Sequence, residues 1–500
     1  MKILAKQFGA APKAEAIALA LFEKEDIAKN PLFRLLPNNV QALVKKFISG
    51  GGFSGKESET KVLPIFETSL KKIILLGRGD KQKWHRRKAL LIPRRVIQTA
   101  KQERVKTIAT HLDMLGDNSE AHSSARDITT NMLMAYFEYR RKVMPKDGWP
   151  EVKEVTLLCE KKDAKAATEG IREGNIIGEE TNETRILSNT PGGEMTPATL
   201  ADAARRAGKK HGVRVTIFDE KKMKALGFGG VLGVGKGSDI PPCFIVMEYR
   251  HGGKQKPLVL VGKGVTFDTG GLNLKPSEGI YEMHLDMSGG AAVIHAVSAI
   301  ARLKLPLNVV GLVPAVENMP SGSSYHPGDL LKTYSGKTIE VLNTDAEGRV
   351  ILADALAYAK KFNPLLVVDI ATLTGAAMGA LGQRVSALFT QNQKLEKIFR
   401  ELGTQSGDEM WPLPLWDEYD ADIQATFGDI ANIAKTKYGG AITAASFLKQ
   451  FVDGYPWVHL DIAPTMTTIE SQHLAKGASG VGVRFFVELA KHIVKNGISV

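Results

Sequence analysis

The segment richest in reactive side chains is Asn343-Thr344-Asp345-Ala346-Glu347-Gly348-Arg349, where two carboxylates and a guanidinium alternate along the chain. If the segment is extended, all three side chains leave from one face. Like charges held that close are costly unless something positive lies between them. A divalent cation meets that need, with Asp345 and Glu347 as hard oxygen ligands and Arg349 left to hold an anion. The alternative is a solvated turn whose acids sit at the start of a helix over 350–360, where the dipole favours negative charge.

A second cluster lies upstream. Directly after the apolar run 258–261 comes Gly262-Lys263-Gly264-Val265-Thr266-Phe267-Asp268-Thr269-Gly270-Gly271, followed by Lys275-Pro276 and then Met283-His284-Leu285-Asp286-Met287. Lys263 can act as a ligand only when deprotonated, which burial and nearby positive charge can achieve. Otherwise it simply pairs with Asp268.

These residues need elements to position them. The runs 244–248, 258–261, 309–313 and 366–370 have buried-strand length, and helices over 291–303 and 350–360 separate the last three. This alternation predicts a mostly parallel sheet covered by helices on both faces. Such sheets bind ligands outside the carboxyl ends of their strands, where both clusters fall. Thr196-Pro197 reads as a helix start, with the helix running to 210 and ending near Gly212 ahead of a strand at 213–218. The run from Gly230 to Ser238 nearly spells a phosphate-binding loop, but Gly237 stands where a hydroxyl is needed, and a nucleotide site is rejected.

The whole chain, 500 residues, is long for one core, so two domains are expected. The reading places an N-terminal α/β domain at 1–163, a polar linker helix at 164–184 and a catalytic α/β domain at 185–500. Strands are expected near 71–77, 105–109 and 155–158. The run 16–22 reads as an amphipathic helix and not as a leader, because Glu23-Lys24-Glu25-Asp26 stands in place of a cleavage site. The stretch 365–382 is interrupted by Asp369 and studded with Gly and Thr, which makes it a buried strand and loop and not a membrane span. Two distant cysteines, Cys159 and Cys243, suggest neither a disulfide framework nor a thiolate metal site, and a cytoplasmic protein fits best.

A net charge of +12 raises the question of nucleic acid. The densest basic stretch is 81–106, but no recognition helix, zinc finger or aromatic-interleaved motif accompanies it. A solvated basic surface is the simpler account, with nonspecific nucleic-acid contact the lesser alternative.

Taken together, the motifs resemble the leucyl aminopeptidase family of cytosol-type metallopeptidases. The 343–349 segment matches the family signature, and 261–271 matches its other metal loop. Lys275-Pro276-Ser277, Glu317-Asn318-Met319-Pro320, Ala371-Thr372-Leu373-Thr374-Gly375 and His459-Leu460-Asp461-Ile462-Ala463 agree as well, over roughly 185–490. The resemblance implies two divalent ions, Mn²⁺ or Zn²⁺ foremost and Co²⁺ or Mg²⁺ as further options. Asp268 and Glu347 would bridge both, Lys263 and Asp286 would complete the tighter ion, and Asp345 the more exchangeable one. A metal pair about 3.5–4 Å apart can hold a bridging hydroxide and polarise a carbonyl.

In that scheme the free α-amine of a peptide binds the tighter ion, and Lys275 stabilises the charge on the carbonyl oxygen. Arg349 holds a bicarbonate that relays the proton. Met283, Asn343, Thr372, Ala463 and Met466 line the first side-chain pocket, with a leucine-like preference. The family also implies a homohexamer, a dimer of trimers with the catalytic domains inward. Three departures stand out: Gly192-Gly193 after Pro191, His284 beside Asp286, and Pro464 after Ala463. Two other readings compete. One is a nucleic-acid-binding or regulatory protein using the basic first domain. The other is a two-metal phosphoesterase, disfavoured because such sites usually draw on histidines.

Overall fold

The structure, a computed structural model, describes residues 1–9, 12–66, 69–139 and 144–498. It forms two units, residues 1–182 with 469–476, and residues 183–468 with 477–500. In the first unit the strands are β1 (Lys2–Gln7), β2 (Ala16–Phe22), β3 (Thr60–Pro64), β4 (Lys72–Gly79), β5 (Thr107–His111) and β6 (Glu154–Cys159). They form one sheet in the order β1-β6-β5-β2-β4-β3, parallel except for β3.

The run expected to be an amphipathic helix is therefore the central strand β2, buried along its whole length. It has no polar face at helical spacing. A short, wholly apolar run suits a strand with parallel neighbours on both sides and layers on both faces. The helix Ala164–Asn189 follows β6 and carries the chain into the second unit. Its sequence looked polar because its packing face is glycine: a Cβ at Gly170, Gly174 or Gly178 would strike His122, Arg126 or Leu133 of the helix Ala121–Tyr136.

The basic stretch 81–106 is only partly an open cationic face, with Lys81, Lys83, Arg87, Arg104 and Lys106 exposed. Arg94 and Arg95 are buried, and Arg95 donates to the Gly77 carbonyl at 2.8 Å. Arg86 pairs with Asp117 and Asp127, Lys88 with Glu57, and Lys101 with Glu138. Much of this charge is spent inside the unit.

The second unit contains β7 (Arg214–Phe218), β8 (Cys243–Arg250), β9 (Leu258–Gly262), β10 (Gly264–Asp268), β11 (Asn308–Asn318), β12 (Leu330–Lys332), β13 (Thr338–Glu340), β14 (Leu366–Ala371), β15 (Ser386–Phe389), β16 (Met410–Pro412), β17 (Ile430–Ala431) and β18 (Trp457–Asp461). Nine of them make one mixed sheet, in the order β16-β15-β18-β14-β9-β11-β8-β7, with β10 beside the end of β11. Its centre, β18-β14-β9-β11, is parallel, as the alternating pattern predicts. The flanks are not: β8 runs antiparallel to β11, β7 to β8, and β15 to β18. Strands β12, β13 and β17 form a small separate sheet.

Side-chain alternation divides the central strands between two helices. Val259, Val261, Val310 and Leu312 share one core with the helix Glu347–Ala359. Gly311, on the opposite face, lies against Val293 and Val297 of the helix Ser288–Arg302. That second helix begins hard against the sheet. A Cβ at Gly262 would lie 2.5 Å from the Gly289 carbonyl, and one at Gly289 would strike the Ile370 carbonyl. Thr196 caps the helix Pro197–His211, which ends at Gly212 in the left-handed region. The glycine-rich 230–238 run contributes to a helix, Gly229–Gly235, and not to a phosphate loop. Among the described residues no helix is long and apolar enough to cross a membrane.

Candidate metal centre

Strand β9 ends at Gly262, and Lys263 leaves it with its N–H on the Ile370 carbonyl of β14. Asp268 is the last residue of β10, and Asp286 closes a short turn just ahead of the helix Ser288–Arg302. Glu347 is the first residue of its helix, and Asp345 lies in the turn before it. The extended arrangement expected for 343–349 is thus replaced by a turn running into a helix. The turn, not alternation, brings the acids together. Carboxylate oxygens of Asp268, Asp286 and Glu347 all lie within 4.8 Å of one another.

The cluster is almost sealed. Lys263, Asp268, Asp286 and Glu347 are 3%, 2%, 4% and 1% exposed. Lys263 Nζ lies 2.8 Å from Asp286 Oδ2 and 2.9 Å from Glu347 Oε1, and donates to the Thr372 carbonyl at 3.0 Å. It does not take Asp268 as its partner; that carboxylate pairs with Lys275 at 2.8 Å, and Lys275 also meets Asp345. Gly348 makes this approach possible, because a Cβ there would fall 2.6 Å from Lys263 Nζ.

Burial works against every charge in the cluster. It drives the Lys263 ammonium down, but Asp286, Glu347 and Asp268 outweigh it and hold the amine above its ordinary range. Burial also drives Lys275 down, and Asp268, Glu347 and Asp345 reverse it in the same way. The Glu347 carboxyl is pushed up to about 8 by burial first and by Asp268 second, against the pull of the lysines. Asp286 is pushed up to about 6, again chiefly by burial. These carboxylates call for more positive charge than two ammonium groups provide.

Neutral donors fix the ligand geometry. Asp268 Oδ1 accepts from Gly270 N and from Asn318 Nδ2, both at 2.8 Å. Thr372 Oγ1 donates to Asp286 Oδ1 at 2.6 Å, and Asn343 Oδ1 accepts the Asp345 N–H at 2.8 Å. Thr344 is clamped between the two clusters. Its carbonyl accepts from Asn318 at 3.0 Å and Tyr325 at 2.6 Å, and its hydroxyl donates to Gly270 O at 2.6 Å. Arg349, buried at the start of the helix, donates from Nη1 to the Asn432 carbonyl at 2.8 Å. Its Nε is buried with no hydrogen-bond partner, and burial pulls the guanidinium down to about 10.

The residues expected to line a side-chain pocket divide into two groups. Met283 and Met466 pack together with Leu285 and Ala478. Thr372 and Asn343 direct polar atoms at Asp286 and Asp345, while Ala463 sits in the buried turn Ala463–Thr465 with its N–H on Asp461. Pro464 is accommodated in that turn. Gly192 lies against the Phe267 ring beside Asp268, where a side chain would collide. Tyr325, Asn432 and Asn273, whose Oδ1 accepts the Thr344 N–H at 2.8 Å, were not anticipated. A lone Tyr or Asn far from any motif carries no signal that it will turn inward on one.

The residues fit a divalent-cation site. Three buried carboxylates converge, and Glu347 Oε2 is buried with no hydrogen-bond partner. That is a costly arrangement unless a cation satisfies it.

Solved structures share this architecture. A tomato leucine aminopeptidase mutant superimposes with a TM-score of 0.86 and 31% identity, covering 98% of this chain and 96% of that one. The bottromycin maturation enzyme BotP in complex with Mn gives 0.84 and 30%, covering 96% and 100%. Fold and site together define a metal-dependent aminopeptidase. The cytosol aminopeptidase family's catalytic-domain model matches residues 182–487, and its N-terminal-domain model matches 18–142. A probable cytosol aminopeptidase of Chlorobaculum tepidum is 51% identical over 329 residues, a match spanning 65% of each chain. One from Roseiflexus castenholzii is 38% identical over 480 residues, 95% of each. The chain belongs to the cytosol aminopeptidase family.

Proposed function

We propose that this enzyme releases N-terminal amino acids, leucine-like ones foremost, from peptides, with two divalent cations, Mn²⁺ or Zn²⁺, held by Lys263, Asp268, Asp286, Asp345 and Glu347. The observation that carries this reading is the partnerless buried oxygen of Glu347 amid converging carboxylates. When bound, the cations supply Lewis-acid polarisation of a carbonyl and a water acidified to near neutrality.

The remaining work falls to the chain. Once the carboxylate charge is compensated, burial is the influence left on Lys263, and it favours the neutral, ligating amine. Lys275 stays charged, placed between Asp268 and Asp345 to donate to a carbonyl oxygen as negative charge develops there. Arg349 keeps Nε free for an anion, for which bicarbonate as the proton relay is the proposal. Met283 and Met466, packed together, supply apolar surface for a leucine-like side chain, with Asn343, Thr372 and Ala463 completing the pocket.

We place the enzyme in the cytoplasm as a homohexamer acting on peptides. Two free, buried cysteines support a reducing compartment, and exposed Leu274, Tyr281, Phe427 and Tyr438 offer apolar surface for assembly. The internal pairing of the 81–106 stretch favours peptides over nucleic acid as the partner.

Lys275→Ala tests the assignment. Its kcat should fall by roughly 10²- to 10³-fold, the scale for losing one oxyanion donor, while metal content stays at the wild-type level. Wild-type turnover would refute the role given to Lys275.

A further inference from the structure

We infer that Asn432 is a positioning residue that acts through Arg349, anchored from outside the 343–349 segment at its Asn343 end. The inference rests on the reading of Arg349 given above.

Asn432 is fully buried and lies 89 residues from Asn343 in sequence. It follows β17, whose last residue, Ala431, pairs with Glu340 at the end of β13. Its N–H donates to the Glu340 carbonyl at 3.0 Å, the last rung of that ladder. Beyond it the side chain takes over the pairing. Oδ1 accepts from Leu342 N at 2.8 Å and Asn343 N at 3.2 Å, and Nδ2 donates to the Asn343 carbonyl at 2.6 Å. Its own carbonyl accepts from Arg349 Nη1 at 2.8 Å.

Both main-chain polar groups of Asn432, and both ends of its amide, are therefore committed to the segment or to the strand leading into it. At the amino end it fixes Asn343, whose side chain orients the Asp345 N–H. At the carboxyl end it fixes the Arg349 guanidinium through Nη1, which leaves the buried Nε without a partner. One residue thus ties the guanidinium to the amino end of the segment.

Asn suits the position because it carries an acceptor and a donor on one rigid plane. An aspartate of the same size would turn an oxygen toward the Asn343 carbonyl and lose the donor. Alanine would lose all three side-chain bonds and release the 432 carbonyl from its place. Misplacing a catalytic group by a small distance costs rate more than it costs binding.

The test is steady-state hydrolysis of leucine p-nitroanilide by the full-length, metal-loaded enzyme, comparing wild type, Asn432→Ala, Arg349→Ala and the double variant. Asn432→Ala should lower kcat by about 10-fold or more with KM changed less than about 2-fold, at unchanged metal content. The double variant should be no more than about 2-fold slower than Arg349→Ala alone, because residues that act as a unit are not additive. If Asn432→Ala does not fold, the isosteric Asn432→Asp takes its place with the same expectation. Multiplicative losses, or a wild-type kcat for the Asn432 variant while Arg349→Ala is impaired, would overturn the inference alone. A wild-type kcat for Arg349→Ala would overturn the reading of Arg349, and action through it.

Discussion

Lys263 Nζ lies 2.9 Å from Glu347 Oε1, with the two side chains 4% and 1% exposed. Nearly sealed from water, Lys263 is charged only because of the carboxylates around it, while burial and Asp268 hold a proton on Glu347 against the pull of the lysines. Burial favours the neutral form of both. The pair therefore holds protons that cation binding must displace, since ligands coordinate in their deprotonated forms.

Loading the metal-free enzyme with Mn²⁺ at pH 7 should accordingly release protons, at least one per subunit. Glu347, pushed up to about 8, is largely protonated there, and Lys263 is an ammonium. Titration calorimetry in two buffers of different ionisation enthalpy measures this count. Cation binding with no proton released would contradict ligation by these residues.

Glu347→Ala and Arg349→Ala should separate holding the cations from using them. The first should lose turnover and metal content together. The second should keep its metal while kcat falls by roughly 10²-fold, the scale for one lost transition-state contact. Elemental analysis beside the assay distinguishes them. Normal metal occupancy in Glu347→Ala would contradict the bridging role.

The parallel centre of the second sheet was legible in its alternating strand and helix runs, whereas its antiparallel flanks were not. The acids at 345 and 347 and the 262–271 loop announced themselves by residue type. Asp286 and Lys275 stood in the second cluster by residue type, but their roles came from resemblance, because a single acid or lysine gives no sign of its partners. The geometry within 343–349 was misjudged: alternation suggested one extended face, but the start of a helix at Glu347 decides where these side chains go. Burial on both faces made Ala16–Phe22 a strand although its sequence shows no alternation. Asn432 was illegible because its role depends on a parallel pairing between β13 and β17, which are far apart in sequence.

Asp354 offers a pH test away from the cations. It is buried in the helix Glu347–Ala359 and accepts the N–H groups of Val231 at 2.9 Å and Tyr334 at 2.7 Å. Burial outweighs these bonds and pushes its carboxyl up to about 7 from an ordinary 3.8. Since folding raises this pKa, the protonated group's contribution is fully present below pH of about 4 and is lost as pH rises through about 7. The Tm advantage of the wild type over Asp354→Asn should therefore shrink steadily from pH 5 to pH 8 in scanning calorimetry. A difference independent of pH would contradict the assignment.

The most direct test of the central claim compares hydrolysis of leucine p-nitroanilide with that of its N-acetylated form, after dialysis against chelator and readdition of Mn²⁺ or Zn²⁺. The account predicts no cleavage after dialysis, recovery on readdition, and turnover of the free-amine substrate alone. Cleavage that survives metal removal, or equal cleavage of the acetylated substrate, would contradict it.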